Sequence, residues 1–188
     1  MMSNGAQRPA LISPPAKELL VTRCIVRMAL FAMLLLLQHP VGAGATTVGE
    51  EAPDFALPAS VGGNVRLSEH RGEVVLLTFW SSRCAICATQ LAQLGDLQTT
   101  YRSAGLVTLA VSVDDDLRRA AQFARSHPAR FPLLLDRRKD VSRAYGIERL
   151  PTTVLIDRRG RVRYLQSDYR GTDNSYVAQV RELLDDPL

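Results

Sequence analysis

Cysteine and histidine are scarce in this chain, and their scarcity removes the commonest structural use of paired cysteines. Three cysteines (Cys24, Cys84 and Cys87) and three histidines stand among 188 residues. A closed structural zinc site takes about four Cys or His ligands. No second Cys-x-x-Cys completes one, and His70 and His127 fall in no ligand pattern. Both read as ordinary surface or helix-end histidines, and no metal is expected. Also lacking is an apolar run of roughly 20 residues, the length a membrane-spanning helix needs. No repeat or low-complexity segment divides the chain.

The longest apolar run is Met28–Leu37, "MALFAMLLLL", preceded by Arg23 and Arg27 and followed by Ala43-Gly44-Ala45. A basic flank, a short apolar core and an Ala-x-Ala end describe a secretory signal peptide over residues 1–45, cleaved after Ala45. An uncleaved anchor in the cytoplasmic membrane is the alternative. Cleavage would remove Cys24 and leave one pair, Cys84 and Cys87. It would also remove much of the net charge: after Ala45 there are 19 basic and 18 acidic residues. Such a balanced surface gives no reason to expect nucleic acid as a partner. Residues 46–188 are the right size for one domain with a single core.

In that domain "EVVLLTFW", residues 73–80, is a continuous apolar run of the kind found in a strand buried on both faces. After Cys84 the residues Ala85, Ala88, Leu91, Ala92 and Leu94 recur at helical spacing, to about Tyr101. "LVTLAVSV", "FPLLLD", "TTVLID" and "RVRYLQ" read as further strands. "DDDLRRAAQFARSHP", "DVSRAYGI" and "NSYVAQVRELLDD" read as helices, the first with acidic residues at its start and a proline after its end. Strands alternating with helices imply a partly parallel sheet covered on both faces, closed by an antiparallel hairpin.

A Cys-x-x-Cys where a strand gives way to a helix, with a proline before the last hairpin, resembles the thioredoxin fold. "GEEAPDFAL" (49–57), "VRLSEHRGEVVLLTFWSSRCAIC" (65–87) and "YGIERLPTTVLIDRRGRV" (145–162) together resemble the TlpA/ResA group of secreted thiol-disulfide oxidoreductases. The resemblance implies an α/β thioredoxin-like domain: a central mixed sheet flanked by helices, with an N-terminal extension. It implies an extracytoplasmic enzyme acting on protein substrates, a reductase in preference to an oxidant, as in cytochrome c maturation or copper-site assembly, while the motif itself leaves reductase or oxidant open. It implies no cofactor, and a membrane-embedded electron donor.

The spacing has a chemical reason. A cysteine in the first turn of a helix meets unpaired backbone N–H groups and the positive end of the helix dipole, which favour thiolate. Cys84 is that nucleophile, and Cys87, on the same helical face, resolves the mixed disulfide. The resemblance makes Leu150-Pro151 the cis-proline beside the dithiol, and Trp80, Arg83 and Leu150 are expected at the substrate surface. Several positions depart from the family. Arg83 stands where relatives have Trp, and either lowers the Cys84 pKa or points to solvent. Thr78 replaces a buried acid or amide, so a proton relay to Cys87 has no carboxylate there. Gln90 stands where an acid is common, and Ala92 replaces a helix-kinking proline. Two other functions stay open: a peroxiredoxin using Cys84, since "APDFAL" occurs there too, and a copper chaperone using both thiolates.

Overall fold

The computed structural model describes residues 46–169, 171 and 174–187; the signal peptide expected over 1–45 lies outside the described residues. No helix among these is long and apolar enough to cross a membrane. A short hairpin of β1 (Ala56–Pro58) and β2 (Asn64–Arg66) leads through a 3-10 turn, Leu67–His70, into β3 (Val74–Trp80). There follow α1 (Ala85–Tyr101), β4 (Leu106–Ser112), α2 (Leu117–Ser126), β5 (Leu133–Leu135), α3 (Asp140–Ala144), β6 (Thr152–Ile156), β7 (Val162–Gln166) and α4 (Asn174–Asp185). The main sheet has the order β5-β4-β3-β6-β7. β3 and β5 run parallel to β4, and β6 is antiparallel to both β3 and β7. This is the thioredoxin-like topology with both parallel and antiparallel pairs.

All seven residues of β3 are buried. Because successive side chains of a strand point to opposite faces, β3 supplies two cores. Val74, Leu76 and Trp80 meet Leu91, Leu94 and Leu97 of α1 together with Val180 and Leu183 of α4. Val75, Leu77 and Phe79 meet Val141 and Tyr145 around α3, and Phe55 and Leu57 around β1. The hairpin was read from sequence only as an extended, turn-bearing stretch; it covers a sheet face that the five-residue α3 is too short to cover alone.

The helix after Cys84 runs unbroken to Tyr101, then tightens through a 3-10 turn, Arg102–Ala104, to Gly105 at φ 97°. That left-handed conformation suits glycine at a helix end. The alanines do not mark the inward face as expected, since Ala85 and Ala92 are exposed. The buried side carries Cys87, Gln90, Leu91, Leu94, Leu97 and Gln98. Asp116 caps α2, its carboxylate accepting from the N–H groups of Arg118 and Arg119, as the acidic start of that segment suggested.

Leu94 has no exposed surface and lies at the centre of the α1 interface. Leu94→Ala should therefore lower the unfolding free energy by about 3 kcal/mol, read from urea denaturation. Thr89→Ala, on the exposed side of the same helix, should change it by less than about 0.5 kcal/mol.

Candidate active site

Three chain segments converge at one end of the sheet. β3 ends at Trp80 and runs through Ser81, Ser82 and Arg83 to Cys84, the N-cap of α1. β4 ends beside it, with Ser112 opposite Trp80. β6 begins there too: Phe79 pairs with Thr152, so the register carries Leu150 and Pro151 alongside the end of β3. Such crevices at the carboxyl ends of strands are where open α/β sheets place their chemistry.

Cys84 and Cys87 are joined as a disulfide, with Cα atoms 5.3 Å apart. The two sulfurs differ in environment. Cys84 is half-buried at the helix start, whereas Cys87 is wholly buried in the apolar core. The Cys84 N–H donates to the Ser81 carbonyl at 3.0 Å, closing a four-residue turn, and the Cys84 carbonyl accepts from the Cys87 N–H at 3.1 Å. Between the cysteines Ala85 is exposed and Ile86 is 47% exposed. With the half-buried Leu150 nearby in the fold, the rim of the disulfide is apolar on its outer side.

The other expected residues fall into place unevenly. Leu150-Pro151 is a cis peptide bond, and Pro151 itself is buried. Trp80 is not at a substrate surface. It has no exposed area and packs on Phe123 of α2 with ring centroids 4.7 Å apart, because the even positions of β3 face α1 and α2. It supports the site from behind. Arg83 is exposed, and its guanidinium helps to lower the pKa of Asp115. The stronger causes there are the hydrogen bond and charge of Lys139, which approaches Asp115 to 2.9 Å.

Beneath the buried cysteine the polar groups are neutral. Thr78 Oγ1 donates to Gln90 Oε1 at 3.1 Å, and Gln90 Nε2 donates to Thr153 Oγ1 at 3.0 Å. All three side chains are buried. Burial raises the pKa of Tyr176, so that hydroxyl stays protonated at neutral pH. Thr78 thus brings no carboxylate, as its identity foretold, and Gln90 turns inward as the hydrogen-bonding partner of a strand rather than outward as a surface polar residue.

The residue that the sequence did not single out is Asp114. It lies just past β4 and is 4% exposed. Its carboxylate accepts from Ser81 Oγ at 2.9 Å, Ser82 Oγ at 2.7 Å, Ser112 Oγ at 2.9 Å, and the Ser82 N–H at 3.1 and 2.9 Å. Burial acts to raise its pKa, but the hydrogen bonds from Ser82, Ser112 and Ser81 together outweigh that and hold it below the ordinary 3.8. In "VSVDDDL" the first Asp looked like the other two. Only the facing pair Ser81-Ser82, brought alongside by the parallel β3–β4 pairing, distinguishes it.

An exchangeable disulfide at a helix start, one sulfur reachable and one buried, on a sheet of this topology, defines a thioredoxin-like disulfide oxidoreductase. The AhpC/TSA family pattern matches residues 48–165. The thiol-disulfide oxidoreductase ResA of Geobacillus thermodenitrificans is 34% identical over 150 residues, covering 78% of this chain and 86% of that protein. ResA of Bacillus subtilis is 29% identical over 148 residues, covering 78% and 83%. A solved structure from Chlorobium tepidum, described as a thiol:disulfide interchange protein DsbE, superposes with TM-score 0.71 at 34% identity, covering 74% of this chain and 99% of that one. The chain belongs to the AhpC/TSA family and, within it, is a thiol-disulfide oxidoreductase of the ResA and DsbE type.

A carboxyl whose pKa is lowered by folding contributes stability that is present above its unfolded-state value and is lost as pH falls through its folded value. The stability gap between the wild type and Asp114→Asn should therefore be constant near neutral pH and close as pH falls below 3.8. Thermal melts of both proteins across that range measure it. A gap that widens on acidification would contradict the depressed pKa.

Proposed function

We propose that the protein is an extracytoplasmic disulfide reductase of protein substrates in which Cys84 attacks and Cys87 resolves. The observation that carries this reading is the asymmetry of the pair: Cys84 is half-buried at the N-cap of α1, and Cys87 has no exposed surface. Only the former offers its sulfur to a second protein. In the reduced enzyme the Cys84 thiolate attacks one sulfur of a substrate disulfide, forming a mixed disulfide and releasing one substrate thiolate. Cys87 then gives up its proton and attacks the Cys84 sulfur. This forms the Cys84–Cys87 disulfide and releases the second substrate thiol, so two electrons pass from enzyme to substrate.

The neutral Thr78–Gln90–Thr153 set offers no base for the Cys87 proton, so the proton leaves by way of solvent or the departing substrate thiolate. Leu150 and Pro151 form one wall of the groove in which a partner's backbone lies, and the exposed Ile86 forms the other. A membrane-embedded donor returns the enzyme to the dithiol. Cytochrome c maturation and copper-site assembly are the substrate settings that fit the group. The short apolar run of residues 28–37 and the Ala-x-Ala at 43–45 support export across the cytoplasmic membrane.

Iodoacetamide applied to the reduced protein near neutral pH should label Cys84 well before Cys87, as read by peptide mass spectrometry. Cys87→Ala, expressed with its leader, should accumulate discrete, reductant-sensitive adducts through Cys84 on non-reducing gels. Preferential labelling of Cys87 would reverse the roles. Adduct-free Cys87→Ala together with rapid peroxide consumption would replace the reading by a peroxiredoxin, and tight stoichiometric uptake of Cu(I) dependent on both cysteines would replace it by a copper chaperone. The amino terminus of the exported protein should be Thr46; recovery only in membranes with residues 28–37 intact would make the segment an anchor.

A further inference from the structure

We propose that Asp114 is a positioning residue for the redox pair: by clamping Ser81 and Ser82 it holds the turn that keeps Cys84 within bonding reach of Cys87. The path is short and every link is a hydrogen bond. The carboxylate accepts from the hydroxyls of Ser81 and Ser82 and from the Ser82 N–H. Ser81 Oγ in turn accepts from the Arg83 N–H at 3.2 Å. The Ser81 carbonyl accepts from the Cys84 N–H at 3.0 Å. One buried anion thus fixes the rotamer of Ser81, the peptide plane of Ser82 and, through Ser81, the two residues that follow.

The clamp is itself anchored. Ser112 Oγ donates to the Asp114 carboxylate at 2.9 Å, and the Val113 N–H donates to the Trp80 carbonyl at 2.8 Å. The turn is therefore referenced to the ends of β3, buried along its whole length, and of β4, buried at all but one position. A buried carboxylate with five hydrogen-bond contacts is costly to assemble and is kept in place only where those donors converge. Here all but one of these contacts come from the turn that leads into the nucleophile. Cys84 has no side-chain capping bond of its own, and its N–H is held by the Ser81 carbonyl of this same turn.

Closing the Cys84–Cys87 disulfide depends on the effective concentration of one thiol at the other, which falls when the segment holding either samples more conformers. Loosening the turn should therefore weaken the disulfide relative to the dithiol. The next residue, Asp115, carries a charge of its own, paired with Lys139 at 2.9 Å and close to Arg83, and a charge effect must be separated from a tether.

The experiment is redox equilibration of the full exported protein with dithiothreitol. In each equivalent the enzyme disulfide is reduced to two thiols while dithiothreitol is oxidised to its cyclic disulfide, and the fractions are read by acid quench and thiol alkylation. Asp114→Ala should shift the equilibrium about tenfold toward the dithiol, equivalent to about 30 mV for this two-electron couple, with a cooperative melt still present. Asp114→Asn, which keeps an acceptor oxygen for the turn, should recover part of that shift. Asp115→Asn removes a neighbouring charge without touching the serines and should stay at the wild-type constant.

An unshifted Asp114→Ala, or an Asp115→Asn shifted as far as Asp114→Ala, would overturn the proposal. Should Asp114→Ala fail to fold, Ser81→Ala and Ser82→Ala decide: each should move the equilibrium about threefold in the same direction, and wild-type values in both would overturn it. The inference rests on Cys84 and Cys87 being the exchanging pair. A wild-type disulfide that dithiothreitol cannot open reversibly would sink that reading and leave a signature distinct from any of the variant outcomes.

Discussion

Everything in this structure is referenced to a single strand with no solvent-facing side. β3 is hydrogen-bonded on both edges, parallel to β4 and antiparallel to β6, and both its faces are covered. A strand in that position cannot slide by one residue without exchanging its two cores, nor move sideways without breaking a ladder. Its last residue is consequently among the best-fixed points of the fold, and Cys84 follows four residues later. The chemistry is built on a short loop, but the loop begins from a rigid post.

Two buried polar clusters flank the disulfide, and they differ in charge. Under Cys87 the side chains of Thr78, Gln90 and Thr153 satisfy one another and carry no formal charge. Beside the turn that precedes Cys84 a full anion is buried and satisfied by three serines. The first arrangement puts no charge beside the inner sulfur, which is wholly buried. The second commits the hydroxyls of Ser81 and Ser82 to Asp114, so a thiolate at Cys84 is left with the backbone N–H groups of the first helical turn as its donors.

Much of this was legible from residue order. The seven apolar residues from Val74 to Trp80 announce a doubly buried strand, and Cys84 with Cys87 announces the exchange chemistry wherever such a strand meets a helix. The alternation of strands and helices gives a mixed sheet. Three features were not legible, each for a physical reason. The inward face of α1 includes Gln90 and Gln98, whose polarity argues for the outside until Thr153 and the Leu106 carbonyl are seen to receive their amides. Trp80 looks like a docking residue because it sits near the motif, but strand alternation turns it into the core. Asp114 is one of three consecutive aspartates, and two of its three serine partners, Ser81 and Ser82, lie more than 30 positions earlier in the chain, a distance that no local pattern spans.

The backbone at residues 49–52 is stitched to the turn between β6 and β7: the Gly49 N–H donates to the Val162 carbonyl at 2.7 Å and the Ala52 N–H to the Gly160 carbonyl at 2.9 Å. That turn also carries Arg158, whose guanidinium donates to the carbonyls of Gly72, Ala104 and Leu184. All of this lies at the end of the sheet away from Cys84. The segment at residues 49–52 and Cys84 are therefore separated by the length of β3, seven residues or roughly 23 Å. The end of the sheet at which the backbone of residues 49–52 is held and the end that carries Cys84 are opposite, so a contact made at one leaves the other uncovered.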